Sequence, residues 1–188
     1  MIDIYQYNFL SYLIGGGALS VIPLCNKIEM GIKKTIAIVG ATEKRGKEFA
    51  KKFSCLPYRL LLISDDNQKL SELKKEVFQH NPFAEIDTIE CVKDGCWEAD
   101  IILFAVAGCD QKNTLKMMKE VATQKIVIVF SDTDVQKYLP YSKVVMASGI
   151  SSSDKIFISG NDEEINLEIS KYFIEAGYQL KKTHRILK

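Results

Sequence analysis

Five residues, Thr35-Ile36-Ala37-Ile38-Val39, run directly into Gly40-Ala41-Thr42-Glu43-Lys44-Arg45-Gly46, and these two segments restrict the fold more than any others. A short apolar, β-branched run reads as a strand buried on both faces, the kind found in parallel sheets. A glycine directly after it lets the backbone turn sharply. Residues 45–53 then have helical spacing, with Phe49, Ala50 and Phe53 on one face and Lys47, Lys51 and Lys52 outside.

The rest of the chain repeats this rhythm. Strands are expected at 60–63, 85–91, 100–106 and 126–130. A helix carrying Leu70, Leu73 and Val77 follows the second, with Asp66 or Asn67 as its cap. Another helix is expected at 113–121. Strands at 143–147 and 155–159 precede a helix at 161–176, whose Ile165, Ile169, Tyr172, Phe173 and Ala176 recur at three and four. Gly177 suits its C-terminal cap, and Tyr178-Gln179-Leu180 suits a closing edge strand. Strands alternating with helices make parallel βαβ units. The expected fold is α/β, a Rossmann-type doubly wound, mainly parallel sheet in three αβα layers, occupying residues 32–188 as one domain.

Composition narrows the function classes. The chain has 188 residues, 47% of them hydrophobic, enough for a real core. Twenty-five basic and 24 acidic residues leave a net charge of +1, which gives no pull toward nucleic acid or an acidic membrane. The cysteines Cys25, Cys55, Cys91, Cys96 and Cys109 show no disulfide spacing and fit a reducing cytoplasm, where they read as small core residues. His80 and His184 have no nearby partners, so no metal site is expected.

Residues 1–31 stand apart as an N-terminal extension. The stretch 9–25 is uncharged, too short and too broken by Gly15, Gly16 and Gly17 for a good membrane helix. Asp3 is the charge ahead of it, where a signal peptide would place basic residues. The simpler expectation is that Met30 is the natural start, leading through Gly31, Ile32, Lys33 and Lys34 into the first strand. The rival is a short apolar segment that packs on a partner or at a membrane surface.

In open parallel sheets a ligand binds beyond the carboxyl ends of the strands. Gly40 and Gly46 suit the first and last glycines of a pyrophosphate turn, and the helix start offers unpaired N–H groups. Thr42 can donate a hydroxyl, while Lys44 and Arg45 add positive charge. Glu43 opposes this, because it stands where many such turns place a middle glycine. At the end of the second strand Ser64 and Asp65 face the expected ribose, and a carboxylate there favours NAD over NADP. Asp65 and Asp66 also read, equally simply, as helix caps.

The order of segments resembles the dinucleotide-binding family of deazaflavin-dependent NADP reductases and related NADP oxidoreductases. Five stretches carry the likeness: 36–46 with its Gly-x-Thr-x-x-x-Gly turn; Leu62-Ile63-Ser64-Asp65; the Ala99-Asp100 strand through Val106; Lys143-Val144-Val145-Met146-Ala147-Ser148; and 158–164 ahead of a helix ending in Ala176-Gly177-Tyr178. The resemblance implies a Rossmann fold, a nicotinamide dinucleotide, and cofactor contacts at Gly40, Thr42, Gly46, Ser64, Asp65, Val106 and Ala107. The chain departs from the family at Glu43, at Asp65 in place of a phosphate-reading arginine, at Ala107 in place of a proline, and at the loose match Asp132-Thr133-Asp134.

Hydride transfer asks little of the protein, since the cofactor carries the chemistry. His184 is a candidate acid or base but sits in a basic run that reads as surface, and Trp97 reads as core or rim packing. The leading expectation is an NAD(P)-dependent oxidoreductase acting on an unidentified small molecule, with a homo-oligomer left open. The alternatives are a non-catalytic dinucleotide-sensing or partner-binding domain, and a sheet of this fold that binds no nucleotide.

Overall fold

A computed structural model describes residues 33–130, 134–149 and 154–181. The extension 1–31, Cys25, Met30, Asp132, Thr133 and His184 lie outside the described residues. The strands are β1 (Thr35–Val39), β2 (Arg59–Ile63), β3 (Glu85–Ile89), β4 (Ile101–Phe104), β5 (Ile126–Val129), β6 (Lys143–Gly149), β7 (Lys155–Gly160) and β8 (Gln179–Leu180). The α-helices are α1 (Lys44–Phe53), α2 (Asn67–His80), α3 (Val92–Glu98), α4 (Gln111–Met118) and α5 (Glu163–Glu175).

One sheet takes the order β3-β2-β1-β4-β5-β6-β7-β8. The strands from β3 to β6 are parallel neighbours, so the sheet reverses direction of growth between β1 and β4. That reversal is the doubly wound switch point, and it leaves a crevice at the carboxyl ends of β1 and β4. Alternate residues of each strand face opposite layers. Ile36 and Ile38 pack under α1, α2 and α5, whereas Ala37 and Val39 pack under α3 and α4. These are the three expected layers.

Two details depart from the sequence reading. The regular alternation ends at β6, because β7 pairs with it antiparallel. Residues 150–154 are too few for a parallel crossover, which needs a dozen or more. The second is α3, which the sequence reading left out. Gly95 hides it: an added β-carbon there would come within 2.3 Å of Ile63 Cδ1. A larger residue there would have to displace the buried Ile63 side chain, and glycine avoids this at a cost in helix propensity.

α3 also corrects two residue expectations. Trp97, expected in the core or at the rim, is 73% exposed, which rules out the core alone; its backbone carbonyl accepts from Lys125 Nζ. Of the described cysteines only Cys96 is buried, while Cys91 and Cys109 are exposed and Cys55 is intermediate. Both exposed cysteines lie at loop-to-helix junctions, where no second layer covers them.

The caps follow the sequence. Asp66 accepts from the Lys69 amide at the start of α2, and Asp162 accepts from the amides of Glu164 and Ile165 at the start of α5. Gly177 at φ +85° closes α5, with its amide bonded to the Ile174 carbonyl and that of Tyr178 to the Phe173 carbonyl. That bonding pair is a Schellman motif.

Candidate functional site

β1 ends at Val39, and the next residue turns into the crevice. Gly40 takes φ +80°, a left-handed conformation that strains any residue with a side chain. The amides of Gly40 and Ala41 both donate to the Ile63 carbonyl at 3.0 Å, which pins the turn to the end of β2. An added β-carbon at Gly40 would meet the Val106 backbone nitrogen at 2.9 Å, so the turn also seats against the chain leaving β4. At Gly46 the β-carbon would fall 2.2 Å from the Gly40 carbonyl oxygen. The first glycine therefore makes the turn, and the last lets α1 press onto it.

This geometry aims the start of α1 into the crevice. Glu43 sits at the N-cap position in extended conformation, with no side-chain hydrogen bond to the helix. The first intrahelical bond runs from the Lys47 amide to the Glu43 carbonyl. The amides of Lys44, Arg45 and Gly46 have no such partner by helix geometry, and they carry the positive end of the helix dipole.

A cleft of about 320 Å³ lies in front of them. Its floor is apolar, from Phe104 and Ala105 through Val106 and Ala107 to Phe130. Its charged lining comes from Glu43, Lys44, Arg45 and Glu48. Gln111 closes one side, where its Nε2 donates to the Val106 carbonyl at 2.9 Å. The structure thus brings together Lys44, Arg45, Val106 and Ala107, with Gly40 and Gly46 behind them.

Arg45 is already engaged. Its Nη1 donates to the Phe130 carbonyl at 3.0 Å, and its guanidinium lies 5.2 Å from the centre of the Phe130 ring. It therefore spans from α1 to the end of β5 instead of projecting freely from the helix start.

Thr42, Ser64 and Asp65 stand outside the cleft lining, on the β2 side of the turn. Thr42 Oγ1 and Ser64 Oγ share a hydrogen bond of 2.8 Å that ties the loops after β1 and β2 together. Ser64 is buried, Asp65 is exposed, and Asp66 makes an ion pair with Lys69. The Lys69 ammonium is held above the usual lysine range, first by its hydrogen bond to Asp66 and then by the charges of Asp66, Asp65 and Glu43. This end of the site is acidic, with one lysine committed to its own carboxylate.

Five residues that line the cleft were not singled out in the sequence: Phe104, Ala105, Gln111, Phe130 and Glu48. Phe130 forms floor because β5 ends just before it, and its ring stacks on Phe49 at 4.5 Å between centroids. Glu48 lies one turn into α1, two positions past Gly46. Its Oε1 accepts from the Tyr178 hydroxyl at 2.7 Å. Nothing local marks Glu48, since its partner is 130 residues away. No group of three or more histidine, cysteine, aspartate or glutamate side chains suited to a metal occurs among the described residues. No helix among them is long and apolar enough to cross a membrane.

No family model and no curated protein matches the chain. Solved structures do match. A protein from Arthrobacter sp. assigned as a coenzyme f420 dependent NADP reductase aligns with a TM-score of 0.58 at 19% identity, covering 77% of this chain and 82% of that one. Prephenate dehydrogenase from A. aeolicus, solved with hydroxyphenyl propionate and NAD⁺, aligns with a TM-score of 0.65 at 11% identity over 82% of this chain and 61% of its own. Pyrroline carboxylate reductase from Plasmodium falciparum, solved with NADP, gives 0.60 at 11% identity over 79% of this chain and 58% of its own. The chain spans less than two thirds of the last two proteins. At these identities the likeness shows the Rossmann-type fold.

Proposed function

We propose that the chain binds a nicotinamide dinucleotide across the ends of β1 and β4 and serves as an NAD(P)-dependent oxidoreductase. The observation that carries this reading is the Gly40–Gly46 turn: left-handed at its first glycine, closed against Val106, and followed by a helix start without a side-chain cap. Backbone packed this tightly leaves room at the helix start for a diphosphate, which the amides of Lys44, Arg45 and Gly46 would bind. The apolar floor from Phe104 to Ala107 suits a flat ring. The residues therefore fit the cofactor, with Glu43 as a carboxylate at the edge of the cradle. The neighbours solved with NAD⁺ and with NADP support the same reading.

When bound, the nicotinamide supplies hydride chemistry. The protein's part is to position and to exclude water. Ser64 and Asp65 would hold the ribose hydroxyls, once Thr42 and Ser64 release their mutual bond. The carboxylates of Glu43, Asp65 and Asp66 around Lys69 disfavour a 2′-phosphate, so NAD is the preferred form. The acceptor is a small molecule, the site of action is the cytoplasm, and neither nucleic acid nor a membrane is a partner.

Glu43 favours a second reading, a dinucleotide sensor without turnover. A carboxylate lining the cleft beside the diphosphate position weakens binding and suits a site read by a partner rather than one that cycles. Calorimetric titration with NAD⁺, NADH, NADP⁺ and NADPH tests the proposal. Binding of at least one form below about 1 mM is expected, and Glu43→Gly should tighten it. No binding by any form overturns both readings. Tight binding with no reduction of any acceptor leaves the sensor.

A further inference from the structure

Glu48 is exposed, yet it is anchored. Its Oε1 takes the hydroxyl proton of Tyr178, a side chain only 8% exposed. Burial, followed by the Glu48 hydrogen bond, pushes the Tyr178 hydroxyl upward, so it stays a donor. The Tyr178 ring is fixed in turn, edge-on to Phe173 and tilted against Phe49, with the Lys52 ammonium 4.3 Å from its centre. The second Glu48 oxygen accepts nothing among the described residues. A negative charge is thereby held at one place on the wall of a cleft whose floor is apolar.

We infer that Glu48, positioned by Tyr178, makes this cleft prefer the oxidised, positively charged nicotinamide ring over the reduced, neutral one. The inference rests on the dinucleotide reading above. The two forms of the cofactor carry the same diphosphate and differ by the charge of the ring. Their relative affinity therefore reports the electrostatic potential at the ring. Lys44 and Arg45 share the cleft and Glu43 lies at its rim. Lys44 stands in the first turn of α1, where the charge of a diphosphate offsets it, whereas the Arg45 guanidinium, held at the Phe130 carbonyl, is common to the chain and its Glu48 variant, so the share due to Glu48 is read from the difference between the two. Glu48 lies a turn further along, past the phosphate position, and its carboxylate attracts the cationic ring. Water reaches this wall, so screening moderates the effect.

The test is the ratio of the dissociation constants for NAD⁺ and NADH, or for the phosphorylated pair if that binds more tightly. It is measured by calorimetry on the unsubstituted chain, Glu48→Gln and Tyr178→Phe. Glu48→Gln should weaken the oxidised form relative to the reduced one by about three- to tenfold, with the shift shrinking in high salt. Tyr178→Phe keeps the buried ring and should move the ratio the same way by less, because the carboxylate remains but is no longer held. A purely structural role for either residue would alter both affinities alike. An unchanged ratio in Glu48→Gln, with both forms still binding, overturns this inference alone. Failure of the unsubstituted chain to bind either form overturns the dinucleotide reading and this inference with it.

Discussion

A β-carbon added to Gly40 would lie 2.9 Å from the backbone nitrogen of Val106. The contact is backbone against backbone, so neither side can swing away. Gly40 also holds φ +80°. Both facts predict that Gly40→Ala destabilises the fold by about 2 kcal/mol or more. Urea unfolding followed by circular dichroism measures it. A loss under about 0.5 kcal/mol would mean the turn relaxes freely.

Gly46 and Gly108 separate packing from conformation. A β-carbon at Gly46 would fall 2.2 Å from the Gly40 carbonyl oxygen, whereas one at Gly108 meets nothing within 4 Å. Gly108 has φ +72°, and Gly46 carries no such strain. Gly46→Ala should therefore cost more than about 2 kcal/mol by forcing α1 off the turn. Gly108→Ala should cost about 1 kcal/mol from backbone strain alone. The reverse order in the same urea assay would show that α1 is loosely seated.

These glycines explain why so much was legible. β1, β2, β4 and β5 are buried on both faces, so each appears as an unbroken apolar run. Gly40 and Gly46 appear at fixed offsets because close packing excludes every larger residue there. α3 was hidden for the opposite reason. Gly95, seated under Ile63, interrupts a helix of only seven residues and hides the pattern that would reveal it. The antiparallel β7 was readable in principle, since the short gap between Ala147 and Lys155 forbids a parallel crossover. The partnerships of Arg45 with Phe130 and of Glu48 with Tyr178 were not readable, because each joins segments far apart in the chain.

Lys34 links the start of β1 to α5. Its ammonium bonds Glu168 and the Tyr172 hydroxyl, which itself donates to Glu168 at 2.6 Å. The hydrogen bond from Lys34, then that from Tyr172, holds the Glu168 carboxyl below its ordinary value of 4.5. A lowered carboxylate stabilises the fold above its unfolded value, and that stability is lost as pH falls through the folded one. Glu168→Gln should therefore lower stability at pH 7 and flatten the acid limb of the stability curve below about pH 4.5. An acid limb parallel to that of the unsubstituted chain would show that Glu168 does not carry it.

Thiol labelling tests the corrected cysteine positions. Burial pushes the Cys96 thiol up to about 12, only partly offset by Lys125. Cys91 and Cys109 are exposed. Iodoacetamide at pH 8, read by peptide mass spectrometry, should modify Cys91 and Cys109 in the folded chain and Cys96 only after denaturation. Early labelling of Cys96 would contradict the packing of α3 on the sheet. Because the Cys96 proton is held more tightly in the folded state, its contribution to stability should fall as pH rises from about 9 toward 12.

The central claim is a dinucleotide seated on the turn between β1 and α1. Amide chemical shifts recorded during titration with NAD⁺ test it most directly. The largest changes are expected at Gly40, Lys44, Arg45, Gly46, Val106 and Ala107, with smaller ones at Ser64 and Asp65. Saturating NAD⁺ and NADP⁺ that leave these amides unmoved, or that shift only residues elsewhere, would contradict it.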